Sequence, residues 1–86
     1  MIGSFATSKA GHDKGACYVI LKEDGAFVYL CDGRCKPVRA PKKKSRKHIQ
    51  LINRTVSLQI AEKLAEGLPV TDEEVKYEIK QYKKQV

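Results

Sequence analysis

The hydrophobic pattern of the chain changes period near residue 55, and this change restricts the fold more than any other feature of the sequence. Before it, the segments 16–22 and 26–31 are short runs rich in β-branched and aromatic residues, which are typical of strands. After it, apolar residues recur every four positions, which is the spacing of one face of a helix. The sequence therefore predicts an α+β protein with strands first and helices last.

Five short segments are candidate strands, at 2–7, 16–22, 26–31, 34–38 and 48–52. Asp-Gly dipeptides precede the third and the fourth, and this dipeptide favours the positive φ of a type I′ hairpin turn. We therefore expect a three-stranded meander, whose last strand ends or lies at an edge because Pro37 cannot donate a ladder hydrogen bond. Five short strands joined by turns predict a small closed barrel.

Two helices are predicted after the strands. Apolar residues spaced for one helix face form a first stripe at Val56, Ile60, Leu64 and Leu68 and a second at Val75, Ile79, Tyr82 and Val86. Gly67 can end the first helix, and Thr71 with Glu74 fits the capping box that begins the second. We expect residues 1–54 to form the barrel, with a solvated basic loop at 39–48, and residues 55–86 to form a helical appendix.

Positive charge is concentrated in one quarter of the chain. The net charge is +7, but residues 1–32 and 55–86 each carry −1, whereas residues 33–54 hold four arginines and five lysines with no acid. Such a segment is often only a solvated surface, yet it is also the electrostatic footprint of a protein that binds a polyanion. Lysines outnumber arginines in it, which favours contacts with the phosphate backbone over base reading.

Other functions find little support in the sequence. No catalytic triad order, isolated carboxylate pair or Walker-type phosphate loop is present, so we expect neither an enzyme nor a cofactor. Cys31, Cys35, His12 and His48 do not have the spacing of a zinc site, and the three cysteines are expected to be reduced thiols. The absence of a signal peptide and of a long apolar run predicts a cytoplasmic protein with no membrane association.

The segment between the first two strand candidates carries a motif. It runs Ser-Lys-Ala-Gly-His-Asp-Lys-Gly over residues 8–15, with two glycines four residues apart that allow a sharp bend and a close approach of the backbone to a phosphate. An apolar strand, this loop and Cys17-Tyr18-Val19-Ile20 together resemble the KOW motif of ribosomal and transcription-associated proteins. With Gly3, the Asp32-Gly33 turn and the tract 41–44, residues 1–53 resemble the fourteen-e group of large-subunit ribosomal proteins and their short bacterial relatives.

This resemblance implies an SH3-like barrel of five strands whose first loop and neighbouring basic surface contact structured RNA. The expected function is binding of ribosomal RNA at the ribosome, in translation, by a chain that is a monomer when free and has ribosomal proteins as further partners. The expected RNA contacts are Lys9, Gly11, His12, Lys14, Gly15, Arg34, Lys36, Arg39, Lys42, Lys43, Lys44, Arg46, Lys47, His48 and Arg54.

Two alternatives remain open at this stage. The aromatic residues of the strands and helices can stack on bases, with Tyr29 as the best candidate, although core packing is the more common role of such residues. The chain can also be an adaptor that binds RNA polymerase or another protein factor through the KOW module or the helices. In that case the apolar stripes of the helices should stay partly exposed.

Overall fold

A computed structural model describes residues 2–9 and 16–84, with the backbone alone at 53–56. The strands are β1 (Ser4–Ser8), β2 (Cys17–Asp24), β3 (Phe27–Cys31), β4 (Lys42–Ser45) and β5 (Ile49–Val56), and the helices are α1 (Leu58–Ala65) and α2 (Asp72–Lys84). A 3-10 turn at Arg46–His48, called the 46–48 turn below, connects β4 to β5.

The five strands form one antiparallel sheet in the order β4-β3-β2-β1-β5. Each pair of neighbours is antiparallel, so β4 and β5 are the two edges of the sheet. The predicted α+β class, with five strands followed by two helices, is confirmed. The sheet is not closed by pairing of β4 with β5, and the predicted closed barrel is therefore not shown.

The hairpin between β2 and β3 follows the turn chemistry of the sequence. Asp24 pairs with Phe27, which leaves Gly25 and Ala26 as the two residues of the turn. Gly25 has a φ of +59°, a conformation that costs glycine little because it has no Cβ. The predicted hairpin is therefore confirmed, with Gly25 and Ala26 as the central residues of its turn and Asp24 as the last residue of β2.

Residues 34–38 were expected to form a strand, and this prediction is wrong, since they lie in the long connection 32–41. The Asp32 carboxylate accepts hydrogen bonds from the backbone N–H groups of Arg34 and Lys36, at 2.8 and 3.0 Å. A short polar side chain that binds nearby amides in this way competes with strand pairing. The second Asp-Gly dipeptide consequently begins a side-chain-capped loop instead of a two-residue hairpin.

Residues 39–48 were expected to be a solvated basic loop, and this prediction is wrong for Lys42–Ser45. Lys42–Ser45 is strand β4, in register with β3 from Leu30↔Lys42 to Phe27↔Ser45. The free edge of β3 supplies hydrogen-bond partners for this backbone, and alternation along the strand sends neighbouring lysines to opposite faces. Together these effects make a strand possible despite the repulsion between like charges.

Apolar residues are buried on both faces of the sheet. The inner face, as we call it, carries a cluster formed by Ala6, Tyr18, Ile20, Val28, Leu30 and Ile49. The outer face is covered at one end by the helices, in a cluster formed by Phe5, Cys17, Val19, Cys31, Ile60, Val70, Val75 and Ile79. The rings of Phe5 and Tyr82 stack within this contact, with centroids 4.9 Å apart. The helix pair thus shares its core with the sheet.

Local sequence signals define the helix ends. Ser57 caps α1 by accepting from the Ile60 N–H, and Leu68 N–H donates to the Lys63 carbonyl at 2.8 Å as the chain leaves the helix at Gly67. The capping box at the start of α2 is confirmed, since the Thr71 and Glu74 backbone N–H groups each donate to the other's side chain at 3.2 Å.

The first predicted stripe is corrected at both of its ends. Val56 belongs to β5, and Leu68 lies beyond the helix with 47% of its surface exposed. Within the described ranges, neither helix has the length and apolar character needed to cross a membrane.

Candidate nucleic-acid interface

Strand β4 places the three consecutive lysines of the basic segment on a sheet edge. Lys42 and Lys44 pair with Leu30 and Val28, so they share the side of the inner face, whereas Lys43 pairs with Tyr29 on the outer face. Lys42 and Lys43 are exposed, and Lys44 is half-buried with its Nζ donating to Ser8 Oγ at 2.9 Å. The sequence grouped these three cations, and the structure divides them between two faces.

Lysines and aromatic rings alternate on the part of the outer face that the helices leave uncovered. Lys43 Nζ lies 4.5 Å from the centroid of the Phe27 ring, and Lys22 Nζ lies 5.4 Å from that of Tyr29. Lys22, Tyr29 and Lys43 are cross-strand neighbours on β2, β3 and β4. We call Lys22, Phe27, Tyr29 and Lys43 the aromatic face.

The 46–48 turn brings three more predicted contacts next to the start of the KOW-like segment 8–15, called the motif loop below. Lys47 and His48 are exposed, and the backbone N–H of Lys9 donates to the His48 carbonyl at 2.9 Å. Lys9 belongs to the motif loop 8–15 and therefore lies beside the 46–48 turn, although the two are about forty residues apart in sequence. This adjacency is what a shared binding surface requires.

Arg46 is positively charged, and it also makes hydrogen bonds and an ion pair within the protein. Its Nε donates to the Gly25 carbonyl at 2.7 Å, and its guanidinium lies 3.6 Å from the Glu23 carboxylate. The backbone N–H of Arg46 also donates to Ala26 at 2.9 Å. Arg46 thus ties the 46–48 turn to the β2–β3 hairpin, and a contact with RNA would compete with these interactions.

The connection 32–41 holds the described cations that remain among the predicted RNA contacts, and it is fixed to α2. The backbone N–H of Val38 donates to Asp72 Oδ1 at 2.7 Å, at the first residue of the helix. Arg34 and Arg39 are exposed, while Lys36 is half-buried with its Nζ 5.2 Å from the centroid of the Tyr18 ring. These three cations belong to a different element from the β4 lysines.

Several predicted contacts lie outside the described residues. They are Gly11, His12, Lys14 and Gly15 of the motif loop, and the side chain of Arg54, whose backbone belongs to β5. The predicted role of these residues stays a prediction.

Lys22 is a member of this surface that sequence reasoning did not select, and Phe27 is one of the aromatic residues for which core packing was expected to be the more common role. In the structure 40% of the surface of Phe27 is exposed, and Tyr29 is half-buried. The run 26–31 is apolar throughout, so no alternation of polar residues indicates which side faces solvent. No local signal identifies the pairing of these rings with lysines, because that pairing requires the tract 42–45 to be a strand beside β3.

The three cysteine thiols differ in their burial and in their pKa values. Burial raises the pKa of Cys31 to about 12, with the nearby charges of Asp32 and Asp72 adding to the effect, and burial also raises the pKa of Cys17. Cys35 is exposed. Among the residues that the structure describes, no three His, Cys, Asp or Glu side chains form a group suited to a metal ion.

Comparison with known proteins adds no family to this description. Neither models of known protein families nor the sequences of curated proteins gave a match to the chain.

Proposed function

We propose that this protein binds RNA, with ribosomal RNA as its target, through the motif loop and the basic segment 34–54. The observation that carries the proposal is the Lys9–His48 backbone hydrogen bond, because it places the start of the loop next to a turn and an edge strand rich in exposed cations. Polyanion binding by such a surface releases condensed counterions, which supplies affinity without base contacts.

We also propose that the sheet curls into an SH3-like barrel, as the KOW resemblance implies. In a flat sheet of this order, β4 and β1 would be three strand spacings apart, about 14 Å. The hydrogen bond from Lys44 to Ser8 joins these two strands directly. The inner cluster, with Val28 fully buried although no helix belongs to that cluster, supports strong curvature in the same way.

The chemistry of the cations favours recognition of RNA by shape. Exposed lysines act as mobile point charges suited to phosphates, and double-helical RNA hides its base edges in a deep groove. We expect affinity to depend strongly on salt and weakly on the sequence of paired regions.

The experiment compares two triple variants with the same loss of charge. K42Q/K43Q/K47Q removes exposed cations from β4 and the 46–48 turn, while K80Q/K83Q/K84Q removes exposed lysines from the end of α2. Lys44 and Arg46 are left intact because each has a structural partner. Binding to a fluorescently labelled RNA hairpin with an internal bulge is measured by anisotropy between about 0.05 and 0.3 M salt.

The two triple variants should differ clearly in their affinity for the RNA hairpin. If the three residues contact phosphates, the slope of log affinity against log salt falls by about 2 to 3, which corresponds to roughly 100- to 500-fold weaker binding near 0.1 M salt. The α2 variant should stay close to wild type. Equal losses in both variants would mean that only net charge matters, and unchanged binding in the β4 variant would refute the assigned surface.

The adaptor alternative has less support from the helices. Ile60, Val75 and Ile79, which lie on the two apolar stripes, are packed against the sheet. This burial leaves little of each stripe for a protein partner, so the helices lend the adaptor alternative little support.

A further inference from the structure

We propose that the aromatic face binds unpaired nucleotides, with one base stacked on Phe27 and a second on Tyr29. This inference rests on the proposed function and deepens it, because it assigns single-stranded segments of RNA to a surface separate from the predicted phosphate contacts of the motif loop. The occupant is a short run of unpaired nucleotides, such as a bulge or a terminal loop.

The exposure of the two rings is the first argument. Phe27 begins β3 with 40% of its surface exposed, and the half-buried Tyr29 follows two residues later on the same face. Residues at this spacing stand about 7 Å apart along a strand. Two rings in a row on an open sheet face offer platforms for two successive bases, whereas the stacked bases of a duplex do not expose their faces.

The lysines over the rings are the second argument, because they decide which occupant fits. An ammonium group over an exposed ring contributes only about 2- to 5-fold to an equilibrium, while a stacked base contributes about 5- to 100-fold to affinity. A base can therefore displace each ammonium group from its ring. The displaced Lys22 and Lys43 are then free to pair with the phosphates that flank the base.

The charged residues beside Phe27 indicate on which side of the ring the phosphates of a bound nucleotide lie. Exposed Asp24 pairs with Phe27 from the β2 side, and Lys43 approaches the same ring from the β4 side. At Phe27, phosphates are repelled by the carboxylate and attracted by the lysine, so the nucleotide backbone should pass this ring on its β4 side. Beyond Ser45, the β4 partner of Phe27, that path leads to the 46–48 turn with Lys47, an exposed cation of the proposed phosphate surface.

The test uses F27L, Y29L and the double variant, because leucine fills similar space and cannot stack. Binding is measured for a labelled twelve-nucleotide oligouridine and for a blunt sixteen-base-pair RNA duplex. Tyr77→Leu serves as the matched control, since Tyr77 is an exposed aromatic residue on α2 with 57% of its surface accessible. Thermal unfolding followed by circular dichroism checks that each variant keeps its fold.

The double variant should bind oligouridine at least about tenfold more weakly, while its affinity for the duplex and both affinities of Y77L stay within twofold of wild type. A folded double variant that binds oligouridine normally refutes the aromatic face. Equal losses for oligouridine and duplex also refute it. If wild-type protein binds the duplex and not oligouridine, this inference fails alone; if it binds neither RNA, the proposed function fails as well.

A second readout reports stacking directly. The chain contains no tryptophan, so F27W introduces a single tryptophan at the proposed platform, and its emission can be excited separately from that of the four tyrosines. Stacking of uridine on the indole should quench its emission as oligouridine saturates the protein. Emission that stays constant at saturation would contradict contact between this ring and a base.

Discussion

Replacement of Gly3 by alanine should strongly destabilise the protein, because Gly3 lies where the sheet meets α1. Its N–H donates to the Ile20 carbonyl, and its own carbonyl accepts from the Ser57 N–H, both at 2.8 Å. The φ of Gly3 is +86°, and an added Cβ would lie 2.8 Å from the Cβ of Ala61. Both the backbone conformation and the space therefore require glycine.

The expected magnitude has two parts. A left-handed conformation costs an alanine about 1–2 kcal/mol, and forcing a methyl group into a packed site costs about 1–3 kcal/mol. We expect G3A to lower the free energy of unfolding by about 2–5 kcal/mol. The total for a chain of this length is only about 4–13 kcal/mol, so the loss is a large part of the stability.

Two further variants separate these contributions, measured by urea denaturation with circular dichroism. G25A is the matched control, because Gly25 has a φ of +59° and nothing within 4 Å of its added Cβ, so it should show the conformational cost alone. In G3A/A61G the clash between the added Cβ and the Cβ of Ala61 is removed. A double-mutant cycle should therefore measure a coupling free energy of about 1–3 kcal/mol between the two positions. If G3A costs no more than G25A, the proposed packing of Gly3 against α1 is wrong.

Two predictions concern the titratable groups. Cys35 is exposed while Cys17 and Cys31 are buried with raised pKa values, so one thiol should react rapidly with a disulfide reagent in the native protein and three in denaturant; rapid reaction persisting in C35S would contradict this. The pKa of Glu74 is lowered by a hydrogen bond from Lys63 and by its capping bonds to Thr71, so its contribution to stability is present above its unfolded pKa and is lost as the pH falls through the folded pKa. Glu74→Gln should therefore reduce the loss of stability as the pH falls below the unfolded pKa of Glu74, and an unchanged pH profile of the urea midpoint would refute this role.

Features that depend on neighbours in the chain were predictable from the sequence. The capping box of α2, the end of α1 at Gly67 and the hairpin turn at Gly25 each involve residues within about four positions of one another. Their conformations follow from side-chain hydrogen bonds and from the freedom of glycine, which act locally. The α+β class was predictable for the same reason, since the hydrophobic period is a local property.

The assignment of the basic segment was decided by tertiary structure. In isolation, 42–45 is three lysines followed by a serine, and the mutual repulsion of the lysines favours a solvated loop. The segment becomes a strand only because β3 offers an unpaired edge. Residues 34–38 show the opposite outcome, because Asp32 binds their amides and the loop is fixed to α2.

The candidate binding surface depends on the same non-local contacts. The local sequence placed positive charge in one segment, but it did not indicate that Phe27 and Tyr29 face outward beside Lys22 and Lys43, since that requires the register of three strands. Strand register is determined by pairing between residues far apart in the chain, and it therefore exists only in the folded protein.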